Sequence, residues 1–269
     1  MKKTGAKILA LMLAAAMMLG GCAGGTQKPE SDNKEAVTQT TEQEQNKGTD
    51  KKEHKELKTV TLGKLASREL ETFNYLQSQR AEDGENLTNL WEGLLTTNYK
   101  GQFLPQLATE WGTEDEGLTW TFKLRDDVTW VDVNGEVKTH LTSKDFLVGF
   151  EWVMNSYKNE ANNTTMPNDN VVGAADYYAH TKELGDAAAD LTYEDMLSFG
   201  VGVEAPDDYT LVFTCPNSCP YFDTVAAYNS FYPAAEDLIN ELGIEGFRAC
   251  DNTTMWYCGP YIVEEYIQG

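Results

Sequence analysis

The sequence predicts a mixed α/β (α+β) fold, and three stretches predict it. In residues 118–124, Leu118, Trp120, Phe122 and Leu124 alternate with Thr119, Thr121 and Lys123, the period-two pattern of a half-buried strand. Tyr209, Leu211 and Phe213 repeat that pattern after an Asp207-Asp208 turn. Between the two, Phe146, Leu147, Phe150, Val153, Met154 and Tyr157 share one helix face. Thr142, with Asp145 three places on, makes a capping box for the start of that helix.

The remaining elements follow in chain order. Residues 58–63 alternate enough for a first strand, and residues 73–85 read as irregular and polar, broken by Gly84. Leu87, Leu90, Trp91, Leu94 and Leu95 have helical spacing, which predicts an amphipathic helix over residues 86–95. Gly117 marks a turn after Glu114-Asp115-Glu116, and residues 130–137 read as extended around an Asn134-Gly135 turn. Residues 161–173 are Asn-rich and read as a loop. Residues 177–199 read as helical with breaks, one at Gly185. Pro216 and Pro220 stop the strand of Phe213. A short helix over 237–242 and a last strand over 261–266 complete the chain, which has no internal repeat.

The N-terminus predicts export. Lys2, Lys3 and Lys7 precede an apolar run over residues 8–19, the length of a secretory core and too short to span a bilayer. The run ends in Leu19-Gly20-Gly21-Cys22, which resembles a bacterial lipobox and implies cleavage before Cys22 and its lipidation. Residues 23–56 are almost wholly polar and cannot offset their ordering entropy, so they are expected to form a disordered tether. Residues 57–269 are aromatic-rich and long enough for one large domain or two modest ones.

The chain carries 43 acidic and 21 basic residues, a net charge of −22, which argues against nucleic-acid binding. No GxSxG elbow, HExxH helix or phosphate-cradling glycine loop is present. His54 falls in the tether, while His140 and His180 are isolated. The runs Glu114-Asp115-Glu116 and Asp126-Asp127 read as solvated turns. Asp132-x-Asn134-Gly135 lacks the further oxygen ligands of a calcium loop. The expectation is therefore no catalytic residue, no metal and no cofactor. The Trp and Tyr residues are expected in the core, with Trp256 and Tyr257 as the exceptions to look for at a cleft. Four cysteines remain beyond Cys22, and in an exported chain they allow three disulfide pairings. Their spacing, CxxxC then Cx7C without a nearby His, fits zinc poorly.

Three motifs stand in order: NLWEGL at 89–94, LPQLATEWGTEDEGLTWTFKLRDDVTW at 104–130, and VDVNGEVKTHLTSKDF at 131–146. Together they resemble the extracellular solute-binding proteins of the peptide/nickel type that feed ABC importers. The nearest likeness is to the oligopeptide-binding lipoproteins of Gram-positive bacteria. The resemblance implies a periplasmic-binding-protein-like architecture. Residues 57–91 would begin lobe I, 92–203 would form an inserted smaller domain, and 204–269 would return to lobe I through DDYTLVF, CPYF and YCGPY. It also implies that the chain ends before the second lobe. An oligopeptide ligand, permease and ATPase partners, a lipid-anchored place on the outer membrane face and a monomeric state follow from the same resemblance. So does a ligand-facing loop at Ser78, Gln79, Arg80, Ala81 and Glu82, whose backbone would pair with the peptide main chain. Cys219–Cys258 with Cys215–Cys250 is the implied disulfide pairing, with reduced thiols as the alternative. A relative binding dipeptides, nickel chelates, haem or sugars, or a peptide-sensing surface lipoprotein, is the competing function. A hydrolase would need a nucleophile or metal cluster that the sequence lacks.

Overall fold

Trp120, Phe122 and Leu124 turn inward from one strand, and Leu211 and Phe213 meet them from the next, so the predicted alternation builds the centre of the molecule. The computed structural model describes residues 69–267 apart from 79 and 160–162, and these belong to one unit spanning 61–269. The predicted signal segment, the tether and the strand over 58–63 lie outside the described residues.

The main sheet is antiparallel, in the order β3 (Ala108–Gly112), β4 (Thr119–Leu124), β8 (Thr210–Thr214) and β7 (Val203–Asp207). Trp120 pairs with Phe213, and Phe122 with Leu211. On the inner face Phe213 stands 6.1 Å from Phe122, 5.3 Å from Phe222 and 5.5 Å from Phe231, ring centre to ring centre. Such tilted and edge-on pairs add stabilisation beyond the area they bury. Leu118 lies outside the strand and is exposed. The turn before β4 uses Glu116 at φ 60° and Gly117 at φ 89°. At Gly117 a Cβ would also sit 2.6 Å from the Cys219 carbonyl carbon, so no larger residue fits.

Two hairpins flank this sheet. β1 (Leu95–Thr97) pairs with β2 (Phe103–Pro105), and β5 (Thr129–Val131) with β6 (Val137–His140). The second closes at the Asn134-Gly135 turn, as predicted. The Asp132 carboxylate accepts the Asn134 and Glu136 amides at 2.9 and 3.0 Å and pairs with Lys138 at 2.9 Å. That acidic turn is a local cap.

Helix α2 (Ser143–Met154) starts at the predicted capping box, with the Thr142 amide donating to the Asp145 carboxylate at 2.7 Å. It is not amphipathic as expected. Ser143, Glu151 and Trp152 are buried with the predicted apolar face, because the sheet packs on one side and α4 (Ala174–Leu184) and α5 (Tyr193–Phe199) on another. Tyr157 lies beyond its end at Asn155. The Asn-rich segment expected as a loop contains α3 (Thr165–Asn170). Pro167 in its first turn needs no amide partner, and its carbonyl accepts the Val171 amide. Further on come α6 (Phe222–Ala226) and α7 (Glu236–Arg248), the latter longer than predicted and kinked at Gly243.

Two other expectations are corrected. The helix predicted over 86–95 is α1 (Ala81–Leu87), which runs through Gly84, followed by turns and then β1. Its apolar residues are buried as predicted. However, the Asn89 and Leu90 carbonyls, which a longer helix would need, accept the amides of Tyr261 and Gly259 at 3.2 and 2.9 Å. Residues 261–266 form no strand. Instead Tyr257 makes an antiparallel bridge with Val131.

Candidate functional site

The loop before α1 is held from several sides. Asn74 donates from its amide to the Phe247 carbonyl at 3.0 Å and receives the Leu76 amide at 3.2 Å. The Tyr75 hydroxyl donates to the Pro233 carbonyl at 2.5 Å. Asn229 donates to two carbonyls, of Tyr75 at 2.8 Å and Ser78 at 2.9 Å, and Asn163 donates to that of Leu76 at 2.6 Å. The Ser78 hydroxyl donates to the buried Asp83 carboxylate at 2.8 Å, and Arg80 pairs with Glu71 at 2.6 Å. A buried carbonyl is costly unless paired, so side chains distant in sequence fix this backbone.

An aromatic stack lies behind the loop. Tyr75 stacks on Trp91 at 4.5 Å, and Trp91 on Tyr257 at 5.3 Å. The Trp91 Nε1–H donates to the Trp256 carbonyl at 2.7 Å. The Tyr257 hydroxyl donates to the Asn252 carbonyl at 2.6 Å. Burial pushes the Tyr75 phenol well up, and Tyr232 to about 12, so both stay neutral. Gly259 passes so close that a Cβ there would lie 2.6 Å from the Leu90 carbonyl carbon.

The predicted ligand residues separate on these facts. Trp256 and Tyr257 are buried, which corrects their expected exposure at a cleft; they support the loop from behind. Ser78 is also buried, with its hydroxyl on Asp83 and its carbonyl on Asn229, so its polar groups serve the fold. Arg80 is half-buried and Ala81 is exposed at the start of α1. Gln79, the side chain of Glu82, and Cys22 lie outside what the structure describes. Sequence reasoning missed Asn74, Asn163, Asn229 and Asp83. The three asparagines act through contacts across the chain, and Asp83 through Ser78 and the Glu71 amide nearby, and none of these contacts leaves a local periodicity.

The disulfide pairing is corrected too. Cys215, Cys219, Cys250 and Cys258 are free and buried. Cys215 has Cys219 as its hydrogen-bonded neighbour, and the Cys219 thiol faces the Asn170 side-chain oxygen at 3.6 Å. Burial pushes Cys215 and Cys250 up to about 12 and Cys258 upward as well, which keeps these thiols protonated. Among the described residues no three His, Cys, Asp or Glu side chains gather as a metal site, and no helix is long and apolar enough to cross a membrane. His140 is exposed on β6, and His180 stacks on Phe199 at 5.1 Å.

Residues 102–269 match the family described as bacterial extracellular solute-binding proteins, family 5 Middle. The chain is 30% identical over 194 residues to the oligopeptide-binding protein AmiA of Streptococcus pneumoniae, which covers 72% of this chain and 27% of that protein. It is 28% identical over 207 residues to AliB of the same species, covering 77% of this chain and 29% of that protein. Among solved structures, the substrate-binding domain of an oligopeptide ABC transporter from Bacillus anthracis aligns with a TM-score of 0.58 and 26% identity, covering 74% of this chain and 34% of that one. Haemophilus influenzae OppA in complex with RPPGFSPFR shares the fold, with a TM-score of 0.59 at 23% identity over 73% of this chain and 34% of that one. The chain thus spans 27% and 29% of the length of the two curated relatives. Its mixed α/β arrangement is part of an OppA-type binding-protein fold. The chain belongs to the bacterial extracellular solute-binding proteins of family 5.

Proposed function

We propose that the protein captures oligopeptides outside the cell and delivers them to the permease and ATPase subunits of an ABC importer. It would act as a monomer without catalysis, held to the outer membrane face by lipid on Cys22 and by the tether over 23–56. The lobe I segments expected over 57–91 and 204–269 would flank an inserted domain expected over 92–203, with that domain carried on through β8, because β7 and β8 share one sheet with β3 and β4. The observation that carries this reading is the stretch over residues 74–78, fixed by side chains at the carbonyls of Tyr75, Leu76 and Ser78. A fixed backbone edge suits peptide capture because main-chain pairing tolerates varied side chains, and preorganisation lowers the entropy cost of binding. Residues 79–82, next to the pinned stretch, are where a peptide main chain would pair. The similarity to proteins named as oligopeptide-binding supports the same class of solute.

The test is calorimetric titration of the whole gene product with RPPGFSPFR and with a panel of shorter peptides. A Kd of about 1 mM or tighter for at least one peptide is expected. No binding to any peptide would overturn the assignment. A second solute class belongs in the same experiment, because the chain is 27% identical over 195 residues to YgiS of Escherichia coli, named a probable deoxycholate-binding protein. Binding of deoxycholate without peptide would replace the proposal by that reading.

A further inference from the structure

At the tip of the β5–β6 hairpin stands the one place in the chain where an asparagine precedes a glycine, Asn134-Gly135. Both residues are exposed, and the Asn134 side-chain amide has no hydrogen-bond partner among the described residues. Glycine matters here because it has no Cβ to screen its backbone nitrogen. In such a pair that nitrogen can attack the side-chain carbonyl carbon of the asparagine and close a five-membered ring.

The folded turn restrains this chemistry. The Gly135 N–H donates to the Asp132 carbonyl at 2.9 Å, which engages the attacking nitrogen and fixes its direction. The Asp132 carboxylate accepts the Asn134 and Glu136 amides at 2.9 and 3.0 Å, and Lys138 pairs with it at 2.9 Å and helps to keep it ionised. Attack therefore waits on a local opening of the tip, and exposed tips open more readily than the core.

We propose that Asn134 is a site of slow, self-driven covalent modification, gated by the Asp132 cap, whose product loosens the bridge between Val131 and Tyr257. The Gly135 nitrogen gives its proton to solvent base and bonds to Cγ of Asn134. The bond from Cγ to Nδ2 breaks, and the nitrogen leaves as ammonia with a proton from water. Water then opens the ring at either carbonyl, leaving an aspartyl or an isoaspartyl linkage. Each product adds a carboxylate beside Asp132, and the isoaspartyl form also adds a methylene to the main chain. Turn length sets hairpin register, so β5 is displaced. Val131 on β5 exchanges two backbone bonds with Tyr257, at 2.9 and 2.7 Å, and Tyr257 supports the aromatic stack. The inference does not rest on the peptide reading, since no solute takes part.

The test incubates the full chain in 18O-labelled water at mildly alkaline pH, folded and in urea, and maps the label by peptide mass spectrometry. Label enters at residue 134 of the folded parent, at least about tenfold more slowly than in urea, the scale of one hydrogen bond to a charged acceptor. Asp132→Ala recovers most of that difference, while Asp132→Asn, whose side-chain oxygen still accepts both amides, stays closer to the parent. Asn134→Gln, which would need a larger ring, takes no label. The modified form, separated by its added charge, exchanges the Val131 and Tyr257 amides faster. Far-UV circular dichroism confirms that each variant is folded; if Asp132→Ala is not, the folded and unfolded parent decide between them. A folded parent without label at residue 134 when the unfolded chain is fully labelled would overturn the proposal. So would equal rates in the folded and unfolded parent, equal rates in the parent and a folded Asp132→Ala, or unchanged exchange at Val131 and Tyr257 in the modified form.

Discussion

Trp91 donates its indole N–H to the main-chain carbonyl of Trp256 at 2.7 Å, across 165 residues of sequence. The bond joins the NLWEGL motif to the segment just before YCGPY. It sits within a stack where Tyr75 covers one face of Trp91 and Tyr257 the other. The pinned loop, the turn after α1 and the late YCGPY segment are therefore one packed unit, although they lie far apart in the sequence.

Replacing Trp91 by Phe keeps most of the stacking and removes the donor. The buried Trp256 carbonyl then has no partner from this side, a loss of about 1–3 kcal/mol. Urea denaturation followed by tryptophan fluorescence checks this. An unchanged midpoint would mean that the bond contributes nothing net.

Asn229→Ala frees the Tyr75 and Ser78 carbonyls together. At roughly 0.5–1.5 kcal/mol for each bond lost, the fold weakens by about 1–3 kcal/mol. The local effect is larger than the global one, because Asn229 donates to both carbonyls at once. Amide hydrogen exchange over residues 75–83 accelerates in the variant while the main sheet keeps its protection. Uniform acceleration across the protein would contradict a local pin.

What the sequence disclosed was what has a local period. β4 and β8 showed themselves by alternation, the start of α2 by Thr142 and Asp145, and the β5–β6 turn by Asn134-Gly135. The predicted helix at 86–95 failed because Asn89 and Leu90, though the apolar residues around them have helical spacing, give their carbonyls to amides about 170 positions away. The pinned loop was legible only as a place, through the family likeness. The asparagines that fix it act across the chain and have no spacing to read. Trp256 and Tyr257 misled for the same reason: lying beside YCGPY says nothing of which way a ring turns, and both turn into the core.

Cys215, Cys219, Cys250 and Cys258 should resist alkylation. All four are buried, and burial keeps Cys215, Cys250 and Cys258 protonated, while the thiolate is the reactive form. Iodoacetamide at neutral pH leaves the four unmodified in the native protein and labels all four in denaturant, as peptide mass spectrometry would show. Peptides joined by Cys219–Cys258 or Cys215–Cys250 in protein purified from its native cells would restore the pairing that the structure lacks.

Asp145 gives stability a pH dependence opposite in sign to that of Asp115, Asp127, Asp132 and Asp207. Burial disfavours its charged form and raises it to about 6, despite bonds from Thr142 and Trp130 that favour the charge. An unfolded aspartate titrates near about 3.9. Below that pH the group is protonated in both states and costs nothing. As pH rises from about 4 to about 6, the folded state holds a proton that the unfolded state has released, so stability falls. Above about 6 the full cost of burying the charge remains, at most about 3 kcal/mol for two pH units at about 1.4 kcal/mol each. Asp115, Asp127, Asp132 and Asp207 are lowered by their hydrogen bonds and drive the total the other way, so the parent curve alone decides nothing. Asp145→Asn isolates the effect, because the amide cannot ionise yet its oxygen can still accept the Thr142 amide. The stability of the variant relative to the parent should climb between pH 4 and 6 and level off above that range. A difference that stays flat across those pH values would mean that Asp145 titrates like an exposed carboxylate, and that water reaches the start of α2.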